Sequence, residues 1–220
     1  MSAIDYLAGR KILEKENSKV NGEITVVKEL LWGVSIFAGG LPQSGGLAKK
    51  IWMKPLVEVK KITKSNPPKN VLILGFAGGG MSHMVRKHWP KAEIIGIDID
   101  PIMVKFGKKY LNWEESGAKV RIKDAISFIE ETKKNGNKYD LICVDMYVGA
   151  SVPEQFNTLK FVKSVKAIMS NEGISVFNRL YGKNNREIAD KFKKILQNVF
   201  SKVRAVRPEA NIMFICSNIV

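Results

Sequence analysis

Three acids, each closing a short apolar run, are the groups of this chain best placed to do chemistry. Asp98 ends Ile94-Ile95-Gly96-Ile97-Asp98, Asp124 follows Val120-Arg121-Ile122-Lys123, and Asp145 ends Tyr139-Asp140-Leu141-Ile142-Cys143-Val144-Asp145. Ahead of them, Val71-Leu72-Ile73-Leu74 runs into Gly75-Phe76-Ala77-Gly78-Gly79-Gly80. Glycines let a backbone approach a ligand closely, because no Cβ intervenes. An acid at the end of the next strand accepts hydrogen bonds from a ribose diol. Together they describe a nucleoside site at the carboxyl ends of parallel strands. The expected contacts are Gly75, Ala77, Gly78 and Gly79 along the ligand's tail and Asp98 with Ile99 at the ribose. Asp124 with Ala125 is expected where adenine's amine donates, and Asp145 in the same crevice. Asp145 also reads as a strand-end acid holding loop amides, and Asp100 as the cap of a helix starting at Pro101.

The glycine pattern, Gly75-x-Ala77-x-Gly79, departs from the dinucleotide fingerprint G-x-G-x-x-G and is closer to the loop of S-adenosylmethionine enzymes. No metal is expected. His83 and His88 stand about 140° apart on one helix and make no ligand pair. Neither cysteine has a metal-ligand neighbour; Cys143 and Cys216 read as buried thiols.

Elements must hold these acids in one crevice. Apolar strands alternate with helical candidates at 80–89, 101–111, 125–134, 155–169 and 184–199. That rhythm predicts an α/β, doubly wound, mostly parallel sheet, and with the closing segments below it resembles the seven-stranded, Rossmann-like class I methyltransferase fold. Residues 201–206 and 211–217 predict a closing antiparallel pair. Upstream, Glu23–Leu30 and Gly33–Ala38 alternate like a small β-hairpin lid. Ala3–Lys15 reads as a short mixed helix, and 49–63 as a helix packing on the sheet. Ser65-Asn66-Pro67-Pro68-Lys69 breaks the chain before the first core strand. The organisation expected is 1–64 as helix, lid and packing helix, and 65–220 as catalytic domain.

The chain has 220 residues, enough for one such core, with 36 basic against 21 acidic residues. Seven lysines lie between Lys49 and Lys69, against Glu58 alone. Eight basic residues lie between Lys183 and Arg207. Such surfaces attract nucleic acid, but a solvated face is the favoured reading. No run is long and apolar enough for a membrane helix, and the expected compartment is the cytoplasm.

From about Gly22 to Leu180 the chain resembles the spermidine synthases (polyamine aminopropyltransferases) and their relatives. The likeness rests on Val71–Val85, on Asp98-Ile99-Asp100-Pro101 beside that family's Glu-Ile-Asp-Pro, and on Asp124, Asp145 and Gly39-Gly40-Leu41-Pro42-Gln43-Ser44-Gly45. It implies that Gln43 closes the nucleoside from the lid and that Asp145 is the catalytic acid. It further implies decarboxylated S-adenosylmethionine as donor, a small-molecule amine as acceptor and a homodimer. Two departures stand out. The family has an acid where this chain has Gly78, and a second acid near the acceptor where it has Val148, beside Tyr147. Both losses disfavour putrescine, and the first lifts repulsion against ordinary S-adenosylmethionine. A methyltransferase acting on a small molecule or RNA is therefore the alternative, and a non-catalytic nucleoside- or nucleic-acid-binding protein the second alternative.

Overall fold

The computed structural model describes residues 9–218. Four strands, β1 (Arg10–Ser18), β2 (Gly22–Glu29), β3 (Gly33–Ala38) and β4 (Leu41–Gly45), form an antiparallel sheet in chain order. The lid is therefore a four-stranded sheet rather than a hairpin. The segment carrying Gln43 folds back across the Gly39-Gly40 turn and pairs with β3 as an edge strand, where Pro42 is tolerated.

The expected helix at Ala3–Lys15 is corrected over its described part, which is strand β1; residues 3–8 lie outside the described residues. Its mixed charges mimic a helical face, but in the strand they find partners on β2 and on Lys105 and Lys109. Arg10 meets Glu29 at 2.7 Å and Lys15 meets Glu23 at 2.9 Å across the strands.

Helix α1 (Ala48–Ile62) leads into the seven-stranded sheet of β5 (Asn70–Leu74), β6 (Glu93–Asp98), β7 (Lys119–Ile122), β8 (Tyr139–Val144), β9 (Met169–Leu180), β10 (Lys202–Val206) and β11 (Asn211–Ser217). Their spatial order is β10-β11-β9-β8-β5-β6-β7. Neighbours from β9 to β7 pair parallel, and β11 is antiparallel to both β9 and β10. The predicted α/β architecture and its antiparallel closing pair are both present. The crossovers carry α2 (Gly80–His88), α3 (Pro101–Leu111), α4 (Ala125–Asn135), α5 (Leu159–Ala167) and α6 (Arg186–Gln197). The single helix expected at 155–169 is split. Glu154–Asn157 forms a 3-10 turn, Thr158 Oγ1 accepts from Phe161 N at 3.2 Å to start α5, and Met169 already opens β9.

One face of the sheet buries Phe128 of α4, Phe161 and Val162 of α5 and Phe192 of α6. The other buries Trp52, Leu56 and Val59 of α1 with Val85 of α2 and Val104 of α3. Helix α1 thus shares its core with the large sheet, although the expected division at 64/65 groups it with the lid. Helix α3 also joins the layers, because Met103 and Phe106 pack under Ile24, Val26 and Ile36 of the lid sheet.

Candidate active site

A cleft of about 430 Å³ opens at the carboxyl ends of the parallel strands, beneath the lid sheet. Its volume is ordinary for a small-molecule site. Gln43, Gly75, Ala77, Asp98, Ile99, Asp124, Ala125, Asp145, Tyr147 and Val148 all line it.

Three strand ends are stitched together at its floor. Gly75 and Phe76 donate to Ile97 O at 2.9 and 3.0 Å, and Asp145 N donates to Leu74 O at 2.8 Å. Gly75 adopts φ +82°, and a Cβ there would lie 2.0 Å from the carbonyl oxygen of Asp145. Glycine is needed at this point as much for the approach of two loops as for a ligand.

Asp98 holds the glycine turn. Its Oδ2 accepts from Ala77 N at 2.6 Å and its Oδ1 from Asp100 N at 2.8 Å. The first bond fixes Ala77 at φ +47°, a left-handed conformation that an L side chain adopts only at a cost. Burial pushes the Asp98 carboxyl up to about 6, against the lowering effect of those amides. The working form for accepting a diol is the carboxylate, so affinity for a nucleoside should fall as pH drops through 6. Between pH 7 and pH 5 a calorimetric titration with methylthioadenosine should show roughly tenfold weaker binding. A flat profile would remove Asp98 from the binding step.

Asp100 is fully buried. It caps α3 by accepting from Ile102 N at 2.9 Å, with Pro101 in the first helical position, as its capping reading anticipates. It also accepts from Ser18 Oγ at 2.5 Å and Asn21 Nδ2 at 2.7 Å, tying the β1–β2 turn of the lid to the large sheet. Asp124 likewise caps α4 through Ser127 N at 2.8 Å.

Asp145 is the most elaborately held acid. Trp52 Nε1 donates to its Oδ2 at 2.7 Å, and Asn178 Nδ2 to its Oδ1 at 2.7 Å. Asn178 is oriented in turn by Asn211 Nδ2, 2.9 Å from its Oδ1. Burial raises the Asp145 carboxyl, opposed by these two donors and by the charge of Arg179. Arg179 is itself 2 % exposed, stacks 3.7 Å from the Phe192 ring centroid, and donates to Phe156 O and Asn157 Oδ1. Beside it Tyr147 has a buried hydroxyl with no partner among the described residues, and burial and then the Asp145 charge push that phenol up.

The lid touches this wall directly. Gln43 Nε2 donates to Gly149 O at 2.8 Å and to Ala38 O at 3.2 Å. Val148 and Ser151 close a tight turn through bonds of 2.9 and 3.2 Å, which presents Gly149 to the lid.

Two of the expected contacts are set back from the cleft surface. Gly78 and Gly79 are not among the residues lining the cleft. A Cβ on Gly78 would lie 2.7 Å from Ile36 Cδ1 and 2.9 Å from Ser44 Cβ, and one on Gly79 would lie 2.4 Å from Trp113 Cβ. The lid sheet and the turn after α3 occupy the space into which these positions face. Conversely, Trp52, Asn178 and Asn211 line the site without having been singled out for it. Asn178 lies near the end of the fifth parallel strand, so the strand-end rule that selected the acids would have selected it too. Glu154 sits in the first turn of its 3-10 segment, and His83 Nε2 lies 3.0 Å from Leu111 O. Among the described residues no three His, Cys, Asp or Glu side chains converge as metal ligands, and no helix is long and apolar enough to cross a membrane.

A family model described as the spermine/spermidine synthase domain matches residues 50–213. A polyamine aminopropyltransferase of Vibrio vulnificus is 30% identical over 115 residues, 51% of this chain and 38% of that protein. Another, from Saccharolobus solfataricus, is 29% identical over 171 residues, 74% of this chain and 56% of that protein. The chain spans about half the length of the curated relatives it matches. Among solved structures, spermidine synthase from Thermotoga maritima superposes with a TM-score of 0.77 at 18% identity, over 94% of this chain and 73% of that one, a likeness of fold. Human methyltransferase-like protein 13 in complex with SAH gives 0.60 at 27% identity, over 68% of this chain and 72% of that one.

Proposed function

The chain belongs to the spermine/spermidine synthase family, and on that footing we propose that it transfers the aminopropyl group of decarboxylated S-adenosylmethionine to an amine. The observation that carries this reading is the Asp145 carboxylate, set in the cleft wall and fixed through both oxygens by Trp52 and Asn178. Its counterparts along the sheet edge, Asp98 and Asp124, suit the ribose and the adenine amine, and Gln43 closes the cleft from the lid. The fit is supported by the chemistry of the donor set. Oxygen acceptors stand at successive strand ends, and the Tyr147 hydroxyl beside them has no partner among the described residues.

The donor would supply a sulfonium-activated methylene and a neutral thioether leaving group. The acceptor must reach that carbon as a free amine. Its lone pair forms the new C–N bond as the C–S bond breaks and the sulfur keeps the electron pair. Asp145 takes the proton released from the nitrogen. Burial raises its carboxyl towards the working pH, which suits a general base. Trp52 and Asn178 hold the acid in one orientation, and the lid excludes water from the reacting atoms. Calorimetry with decarboxylated S-adenosylmethionine, S-adenosylmethionine and methylthioadenosine tests the reading. Failure to bind any of the three would end it.

A second reading, methyl transfer from S-adenosylmethionine, draws on the tail end of the cleft. No acid stands at Gly78, where Ile36 and Ser44 leave no room for one, and the Lys49 side chain lies along the glycine turn, its Cγ 3.8 Å from a Cβ built at Gly80. With Lys49 lining this end of the cleft, the carboxylate of the full donor is tolerated. Affinities for the two donors are therefore expected to differ by less than about tenfold. A ~100-fold preference for the decarboxylated form, about 2.7 kcal/mol, would mean that another acid has replaced the missing one.

The acceptor end has a parallel consequence. Val148 lines the cleft where a second acid would neutralise the far ammonium of a short diamine. Putrescine should be a poor acceptor, and Val148→Asp should lower its KM about tenfold through one charge-assisted contact. Efficient putrescine turnover by the unmodified chain, or no gain in the variant, would contradict this.

A further inference from the structure

We propose that Arg179, which stands behind the cleft wall without lining it, is a positioning residue: its charge keeps Asp145 ionised, and its guanidinium fork pins the loop after β8 to β9. This rests on the aminopropyl-transfer reading, in which Asp145 is the base. Side chains alternate across a strand. Near the end of β9, Phe177 and Arg179 face the core that holds Phe192 of α6, and Asn178 between them lines the cleft and donates to Asp145 Oδ1 at 2.7 Å. The buried guanidinium donates to Phe156 O at 2.9 Å, Asn157 Oδ1 at 3.0 Å and Asn178 O at 2.6 Å. All three acceptors are neutral. A cation taken out of water is costly unless a negative charge compensates it, and an apolar side chain would pack beside Phe192 without that cost. The charge has a use that packing alone does not give. Burial pulls the guanidinium down to about 10, which leaves it cationic near neutral pH, and Arg179 and Asp145 each favour the charged form of the other.

The neighbours that touch Asp145 from other elements, Trp52 of α1 and Asn178 of β9, are neutral donors. The Cys143 thiol of β8 and the Tyr147 phenol are pushed up by burial and stay neutral. Of the other titratable groups lining the cleft, Asp98, Lys123 and Asp124 stand at the nucleoside end, Lys49 by the glycine turn and Glu209 in the β10–β11 turn. A buried carboxyl is driven towards its protonated form, in which it cannot act as a base. Arg179 opposes that drive, so loss of its charge raises the Asp145 carboxyl further and the carboxylate forms only at higher pH. The same side chain fixes the cleft wall. Tyr147, Val148, Pro153 and Phe156 line the cleft from the loop after β8. The loop's tip is tied to the lid, where Gly149 O accepts from Gln43 Nε2 at 2.8 Å and Gly149 N donates to Asn21 Oδ1 at 3.3 Å. Its far end is tied to β9 by the Arg179 bonds to Phe156 and Asn157. Lysine has the charge but lacks the planar fork that makes both bonds at once.

The test compares pH profiles of kcat/KM for one amine at saturating decarboxylated S-adenosylmethionine. Dividing the profile of Arg179→Met by that of the unmodified chain removes the amine's own titration. The quotient should climb about tenfold from the acid end to its plateau, whereas a purely structural defect lowers it equally at every pH. Arg179→Lys should give a level quotient, with KM for the amine raised at nearly constant kcat. A level quotient for a folded Arg179→Met protein would overturn the charge role, and an unchanged amine KM in Arg179→Lys the pinning role. A second measurement needs no Arg179 variant. The carbon-13 resonance of the Asp145 carboxyl, assigned by its loss in Asp145→Asn, should report a carboxylate at pH 7 in the unmodified chain loaded with methylthioadenosine. A protonated carboxyl there would overturn the proposal. Absence of turnover by the unmodified chain with every amine would overturn the aminopropyl reading and the proposal with it.

Discussion

Replacing Asp145 by Asn is expected to lower turnover by about 10²–10⁴-fold, the usual contribution of a positioned general base. Both carboxylate oxygens accept from fixed donors, Trp52 Nε1 and Asn178 Nδ2. An amide offers one acceptor oxygen, so its NH₂ group must face one of those donors and that bond is lost. The buried Arg179 also loses a negative charge that favours its cationic form. The variant should therefore be destabilised by about 1–3 kcal/mol as well, and its melting curve must accompany the kinetics. Affinity for methylthioadenosine should change little, because Asp98 and Asp124 are untouched. Full activity of a folded Asp145→Asn protein would sink the mechanism.

Asp98→Ala is expected to abolish nucleoside binding at ordinary titration concentrations. A hydrogen bond to an ionised acceptor is worth about 1.5–3 kcal/mol, and a diol makes two. The side chain also anchors the glycine turn through Ala77 N at 2.6 Å and the start of α3 through Asp100 N at 2.8 Å. With the first of these gone, Ala77 N at φ +47° loses its hydrogen-bond partner, and the turn is expected to relax. The loss should exceed that of the ribose contacts alone. Unchanged calorimetric affinity would refute the ribose assignment.

Much of this site was legible in the sequence because parallel strands advertise themselves. Val71–Leu74 and Leu141–Val144 are buried on both faces, and Ile94–Ile97 is buried but for half-buried Ile95, so they read as unbroken apolar runs whose ends are easy to place. The acids at those ends then fall into one crevice by topology. The lid was less legible. Strand β1 carries alternating charges that pair with β2 and with Lys105 and Lys109 of α3, and β4 contains Pro42 and ends on Gly45, so neither shows an apolar period. The support of Asp145 was hidden for a different reason. Trp52 and Asn178 come from elements 93 and 33 residues away, and only packing brings them to its oxygens. Gly78 illustrates the reverse. Its place in a glycine loop suggested a ligand contact, but Ile36 and Ser44 of the lid already fill the space beside it.

The central claim is tested most directly by identifying the products. The purified chain is incubated with decarboxylated S-adenosylmethionine and a panel of amines of increasing length, and in parallel with S-adenosylmethionine, and both mixtures are resolved by mass spectrometry. Aminopropyl transfer predicts methylthioadenosine and an amine enlarged by one aminopropyl group in equal amounts, both lost in Asp145→Asn. S-adenosylhomocysteine and a methylated acceptor from S-adenosylmethionine, with no methylthioadenosine from the decarboxylated donor, would contradict it.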